Sequence, residues 1–197
     1  MNLIGDLCAD LSEHGIAIRD QFIAPAEIHL LAADARVREA RGDFSAARVG
    51  NAADLQRRED IRGDFTCWLR EPLFPAERRL LRELEALRLQ LNREAYLGLF
   101  ELELHYARYP PGAGYARHVD QPRGANQRKV SLVLYLNAEW EREAGGALRF
   151  YDEDAGFSDI EPIGGRLVCF LSRGREHAVL AARRERLSIS GWFRARE

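Results

Sequence analysis

His118 and Asp120 stand two residues apart in the glycine-bounded stretch GYARHVDQPRG, residues 114–124, and a third candidate ligand, His177, follows far downstream. An H-x-D pair with a distant histidine is the donor set of a two-histidine, one-carboxylate facial triad. Two neutral imidazoles and one carboxylate hold Fe(II) on one face of an octahedron and leave three cis positions open. A bidentate 2-oxo acid takes two of these and O2 the third, whereas a closed four-ligand site leaves no room for such chemistry. Taken alone, the pair fits two ordinary surface residues as well, and the later histidine adds little by itself.

A second feature narrows the choice. Arg186 lies nine residues beyond His177 and opens the run RLSISGWF. Strand alternation puts Arg186, Ser188, Ser190 and Trp192 on one face and Leu187, Ile189 and Phe193 on the other. A guanidinium heading a face of hydroxyls suits a buried carboxylate, which it pairs bidentately while a serine adds a donor. The competing reading is a solvated charge beside Arg183 and Arg184.

The elements that must position these groups follow from periodicity. Leu3, Leu7 and Leu11 recur at helical spacing before Gly15. PAEIHLLAADARVREA opens with Pro25 in the favoured first turn and carries Ile28, Leu31 and Ala35 on one face. The longest helical stretch lies between Pro75 and Gly98, with Leu80, Leu84, Leu87 and Leu91 as its apolar seam. IAIRDQFI and IRGDFTCWL read as short strands, and residues 41–60 as a polar loop. From Leu99 the period changes to two, and LFELELHYARY, KVSLVLYLN, ALRFY, GRLVCFL, HAVLA and RLSISGWF read as strands. Helices followed by closely spaced strands imply an α+β fold, a β-sandwich or jelly roll with helices packed on one outer face.

Bulk properties set limits. The chain has 197 residues, 46% hydrophobic and 30% charged, with a formal net charge of −2. That is the size of one domain, read as residues 1–197, and it carries no global field to recruit nucleic acid or anionic lipid. Cys8, Cys67 and Cys169 form no C-x-x-C pair, which argues against a disulfide framework or a cysteine zinc site. Cys67 and Cys169 lie in apolar runs and read as buried, inert thiols. The N-terminal stretch lacks the basic region of a signal peptide, and no apolar run approaches the roughly 20 residues of a membrane span. The expectation is a cytoplasmic monomer with no membrane or nucleic-acid partner.

The stretch Leu104–Phe193 resembles the catalytic core of the Fe(II)/2-oxoglutarate-dependent prolyl hydroxylases, most of all the oxygen-sensing prolyl-hydroxylase-domain branch and its bacterial relatives. YPPGAGYARHVDQP, VSLVLYLN, GGALRFY, DIEP, GRLVCFLSRGREHAV and RLSISGWF occur in that family's order, and IRGDFTCW resembles the start of its mobile substrate-covering loop. The resemblance implies a double-stranded β-helix (jelly-roll) core over 99–197, with 1–98 as helical support and substrate loop. It implies His118, Asp120 and His177 as iron ligands and Arg186 as partner of the 5-carboxylate of 2-oxoglutarate, aided by Tyr135 and Ser190. Tyr109 then lines the site near the metal, Leu148 and Val133 are apolar walls, and Trp192 meets substrate. Arg62, Asp64 and Arg128 clamp it, with Arg128 paired to Asp64.

The activity implied is hydroxylation of a prolyl residue in a protein to 4-hydroxyproline, with O2 as oxidant, ascorbate as a candidate reductant, and succinate and CO2 as products. The substrate expected is a protein with an exposed proline, with translation elongation factor Tu as the candidate that the bacterial branch suggests. Rivals are hydroxylation of a free amino acid or other small metabolite, a nucleic-acid demethylase, and a non-catalytic jelly-roll binding module. The sequence departs from the family pattern in a shorter approach to His118, a longer turn before KVSLVLYLN, and a histidine at position 105. His105 faces inward by alternation and reads as a hydrogen-bonded wall residue rather than a ligand.

Overall fold

The computed structural model describes residues 3–48, 58, 60–121, 127–151 and 156–196. Most of the expected 41–60 loop beyond Arg48, and the turn expected after Gln121, lie outside the described residues.

Three helices, α1 (Leu3–His14), α2 (Pro25–Ala40) and α3 (Pro75–Ala95), form where the periodicity places them. α1 ends against Gly15, whose φ of +69° suits a residue without a Cβ. α2 and α3 both start on proline, whose missing N–H is no loss in a first turn. The α3 seam of Leu80, Leu84, Leu87 and Leu91 is fully buried. Gly98 is not the residue that stops it: the helix ends at Ala95, with Tyr96 left-handed.

The strands are β1 (Ile16–Arg19), β2 (Ser45–Ala46), β3 (Phe65–Trp68), β4 (Leu99–Tyr109), β5 (Tyr115–His118), β6 (Arg128–Tyr135), β7 (Leu148–Tyr151), β8 (Phe157–Ile160), β9 (Leu167–Leu171), β10 (His177–Val179) and β11 (Arg186–Ala195). A major sheet runs β1-β9-β6-β11-β4-β3-β2, and a minor sheet β5-β10-β7-β8. Every pairing is antiparallel. β2 and β8 have no counterpart in the sequence reading, and β5, expected only as the strand carrying His118 beside that of His177, has none in the periodicity. They are short and mostly exposed, so no alternation of apolar and polar residues marks them.

Two apolar layers flank the major sheet. On its outer face Leu11, Leu31 and Leu84 from the helices pack with Leu132, Ile189 and Phe193. Cys8, Cys67 and Cys169 are buried in the same layer. Between the sheets, Tyr135, Leu148, Phe150, Val168 and Phe170 form a smaller cluster. Helices on one outer face of a two-sheet antiparallel roll is the expected α+β jelly-roll architecture. Among the described residues no helix is long and apolar enough to cross a membrane.

One ion pair lies deep in the helical layer. Arg38 of α2 donates from Nε and Nη2 to both carboxylate oxygens of Glu77 of α3, each at 2.7 Å. Glu77 also accepts the backbone N–H of Phe74 at 2.9 Å, ahead of α3. Neither charge reaches water to any extent: Arg38 is 7% and Glu77 0% exposed. Removing one partner strands the other, which costs about 3–5 kcal/mol. Glu77→Leu is therefore expected to lower the free energy of urea unfolding by that amount. Adding Arg38→Met is expected to restore the share due to the stranded guanidinium, leaving the loss of the Phe74 N–H contact and of the contacts of Arg38 with Pro72 and Asp43.

Candidate active site

The minor sheet brings the first and third candidate ligands together. β5 and β10 pair so that His118 and His177 are direct cross-strand partners, with ring centroids 4.2 Å apart. Asp120 follows two residues after His118 and turns its carboxylate between them. Its Oδ1 lies 3.6 Å from His118 Nε2 and its Oδ2 3.7 Å from His177 Nε2. One donor atom from each of the three residues falls within 4.8 Å of the others.

Each imidazole is fixed through its other nitrogen. His118 Nδ1 lies 2.8 Å from the carbonyl oxygen of Ala116, and His177 Nδ1 lies 3.0 Å from that of Arg175. A carbonyl only accepts, so Nδ1 carries the proton and the Nε2 lone pair faces the cluster, the tautomer a metal requires. Burial pushes the His177 pKa down, and the neighbouring His118 adds to this against the pull of Asp120. Burial would push the Asp120 carboxyl up, yet the imidazoles of His118 and His177 outweigh it and hold it well below the usual carboxylate range. The cluster therefore offers a carboxylate beside an imidazole biased to its neutral form.

The major sheet supplies the opposite wall. β11 lies between β4 and β6, and its register sets Arg186 across from Tyr109 and Ser188 across from Tyr135. Arg186 is 2% exposed. Its Nε donates to the carbonyl of Gly146 at 3.0 Å, and its Cζ lies 5.1 Å from the Tyr109 ring centre and 5.0 Å from that of Tyr135. Gly146 has a φ of +74°, and a Cβ there would come within 2.9 Å of the Ala182 Cβ, so the carbonyl that seats Arg186 depends on glycine. Among the described residues no carboxylate pairs with Arg186. The buried hydroxyl of Tyr135, beside it, has no hydrogen-bond partner among the described residues. A desolvated cation without a counter-charge is costly. An anion in the cavity would supply the missing counter-charge.

A cavity of about 60 Å³ links the two walls; Tyr109, Leu148, Val133, Arg186, Ser190 and Trp192 line it with the triad. Tyr135 lies behind this lining, fully buried. Asn137 braces the start of β11. Its Oδ1 accepts the Leu187 N–H at 2.7 Å, and its Nδ2 donates to the Pro162 carbonyl at 2.8 Å.

The expected Arg128–Asp64 pair is not formed. Arg62 takes both oxygens of Asp64, at 2.7 and 3.0 Å, two residues away on the same segment. Arg128 instead lies 3.5 Å over the Trp192 ring and donates to the Asp120 carbonyl at 3.3 Å. A bidentate local partner two residues away already neutralises the Asp64 carboxylate, while Arg128 is held by Trp192 and the Asp120 carbonyl.

Tyr115 is a site residue that sequence reasoning missed. Its ring stacks on His118 at 3.6 Å, and the Arg62 guanidinium sits 4.7 Å above it. Tyr115 and His118 are three apart and would point to opposite faces of a regular strand. The register shift between His177 and Val179, where β10 pairs with β5, brings them to one face. No sequence pattern announces such a bulge.

The profile of the 2OG-Fe(II) oxygenase superfamily matches residues 104–194. A solved prolyl-4-hydroxylase from Pseudomonas putida superposes with a TM-score of 0.89 at 40% identity, over 98% of this chain and all of that one. The chain belongs to the prolyl hydroxylase family of 2OG-Fe(II) oxygenases. Members of this family use Fe(II), 2-oxoglutarate and O2, and the donor set described above fits that iron. A Trichoplax adhaerens prolyl hydroxylase, solved with a hypoxia inducible factor oxygen degradation domain peptide, superposes at TM-score 0.86 with 26% identity, over 98% of this chain and 89% of that one. Human Egl nine homolog 1 is 32% identical over 194 residues, covering 93% of this chain and 44% of its own length. The chain spans about half the length of the curated relatives it matches. The double-stranded β-helix of this family is the two-sheet roll described above.

His118→Ala, Asp120→Ala and His177→Ala are each expected to abolish one-to-one binding of Fe(II), or of Mn(II) as a redox-silent substitute, in anaerobic calorimetry. Retention of tight binding in His177→Ala would remove that residue from the donor set.

Proposed function

We propose that this protein hydroxylates a prolyl residue of a protein substrate, with 2-oxoglutarate as co-substrate. The observation that carries the reading is the pairing, across one cavity, of a facial-triad donor set with a buried arginine that has no carboxylate partner among the described residues. When bound, iron with 2-oxoglutarate and O2 supplies the oxidising power that converts a C–H bond to C–OH, 2-oxoglutarate leaving as succinate and CO2.

The chain's own residues bind, orient and exclude water. His118, Asp120 and His177 hold the metal. Arg186, with the Tyr135 hydroxyl and Ser190, holds the far carboxylate of 2-oxoglutarate, so that its other end falls at the metal. Phe150 and Phe170 back His177 at 5.8 and 4.8 Å and keep that side dry. Arg62 and Tyr115 form a wall shared with a wider groove of about 620 Å³, which also runs past Asp64 and Arg117. A polypeptide seated there passes the cavity mouth, which favours a protein over a free amino acid. Elongation factor Tu is the first protein to test, and ascorbate the first reductant.

Arg186→Leu is expected to raise the 2-oxoglutarate concentration needed for half-maximal turnover by at least about 100-fold, the loss of a charge-assisted bidentate contact, while calorimetric metal binding persists. For the substrate, the wild-type enzyme is incubated with host proteome under ¹⁸O2. Mass spectrometry is expected to find a protein that gains one labelled oxygen on proline. Label only in small metabolites would assign the enzyme to free amino acids or metabolites instead.

A further inference from the structure

His105 is a polar residue in a wall that apolar side chains would complete. It lies on β4, 3% exposed, and its Nδ1 has no hydrogen-bond partner among the described residues. Trp192, its diagonal neighbour on β11, is 9% exposed, and its Nε1–H is also without a partner among the described residues. The two rings are stacked, with centroids 5.5 Å apart, and both line the cavity that holds the triad. A buried donor or acceptor left unsatisfied costs about 1–3 kcal/mol. Two side by side on one cavity wall mark a place that a ligand completes.

Along β4 this place is set apart from Arg186, toward the Ser190 end of the wall. Tyr109 faces Arg186, and His105 is four residues back along β4, roughly 13 Å at the rise of a strand. His105 pairs instead with Ser190 on β11 and with Trp68 on β3. The Trp68 ring lies 5.0 Å from His105, and Trp68 is 40% exposed, so this end of the wall reaches solvent. Arg128 closes the other face of Trp192 at 3.5 Å. Burial pushes the His105 pKa down to about 4, with the charge of Arg62 adding to this. The ring is neutral, with one nitrogen to donate and one to accept, whereas the indole N–H only donates. A peptide group offers the matching carbonyl and N–H.

We propose that His105 is a specificity-determining residue of the prolyl hydroxylase, its Nδ1 together with the Trp192 N–H hydrogen-bonding a backbone peptide group beside the target proline. This rests on the prolyl-substrate reading above. His105 then selects a proline embedded in a chain over free proline, which has no flanking peptide group to offer.

The test uses the whole protein with Fe(II), 2-oxoglutarate and, as probe, a pool of end-capped pentapeptides with proline at the centre and all residues at the flanking positions. Succinate release and hydroxyproline are read for wild type, His105→Leu and His105→Asn, whose amide places a polar atom near that of Nδ1. Wild type is expected to turn over the pool. His105→Leu is expected to lose about 10-fold or more in kcat/KM for the peptides, with the loss in the peptide KM and not in that for 2-oxoglutarate. His105→Asn is expected to recover most of it. Equal peptide kinetics in all three, or equal losses in Leu and Asn variants, would overturn the role of His105 while leaving the prolyl-substrate reading intact. A wild-type enzyme that ignores every peptide yet hydroxylates free proline would overturn both.

Discussion

The antiparallel ladder that β11 makes with β4 on one side and β6 on the other is the constraint on which the site depends. It fixes one strand with two faces of opposite character. Leu187, Ile189 and Phe193 anchor the helices, while Arg186, Ser190 and Trp192 look into the cavity. A slip of one residue would exchange the faces, exposing the arginine and setting apolar side chains against the iron ligands. The helical layer is therefore part of the chemistry: burying three large apolar groups on the far side holds the register that presents Arg186. The Asn137 bridge to the Leu187 N–H adds a polar lock where the ladder begins.

The triad is assembled by a different device. Its two histidines come from strands of the minor sheet, and each is oriented by a carbonyl two residues earlier in its own chain segment. Ring orientation is thus a local property of two short stretches, and only their pairing is long-range. The division suits a site whose two walls differ in charge and donor type. The metal end and the carboxylate end belong to different sheets, and the cavity between them is set by the apolar cluster of Leu148, Phe150, Val168 and Phe170.

Much of this was legible from the residues. The three helices, the long strands β4, β6 and β11, and the two faces of β11 follow from periodicity, because burial on one side leaves a period in the sequence. The ligand set and Arg186 were legible as residue types, and their convergence came from the resemblance to a family and not from spacing. Three things were not legible. β5 and β8 have no apolar alternation to betray them. The stacking of Tyr115 on His118 depends on a bulge, a count of residues across a ladder that a single strand cannot disclose. The partner of Asp64 was misplaced because a side chain two residues away competes on far better terms than one across the sheet, and sequence alone does not rank the two.

The cysteines carry a consequence of another kind. All three sit in the helix-side layer, behind the major sheet from the cavity. Burial pushes the Cys8 and Cys169 thiols up to about 12, and Cys67 is raised as well. Burial keeps these thiols protonated at neutral pH, and thiolate is the form that oxidants attack. Here the sheet that shapes the reaction chamber also serves as a shield, and the catalyst's most perishable side chains age on its sheltered side.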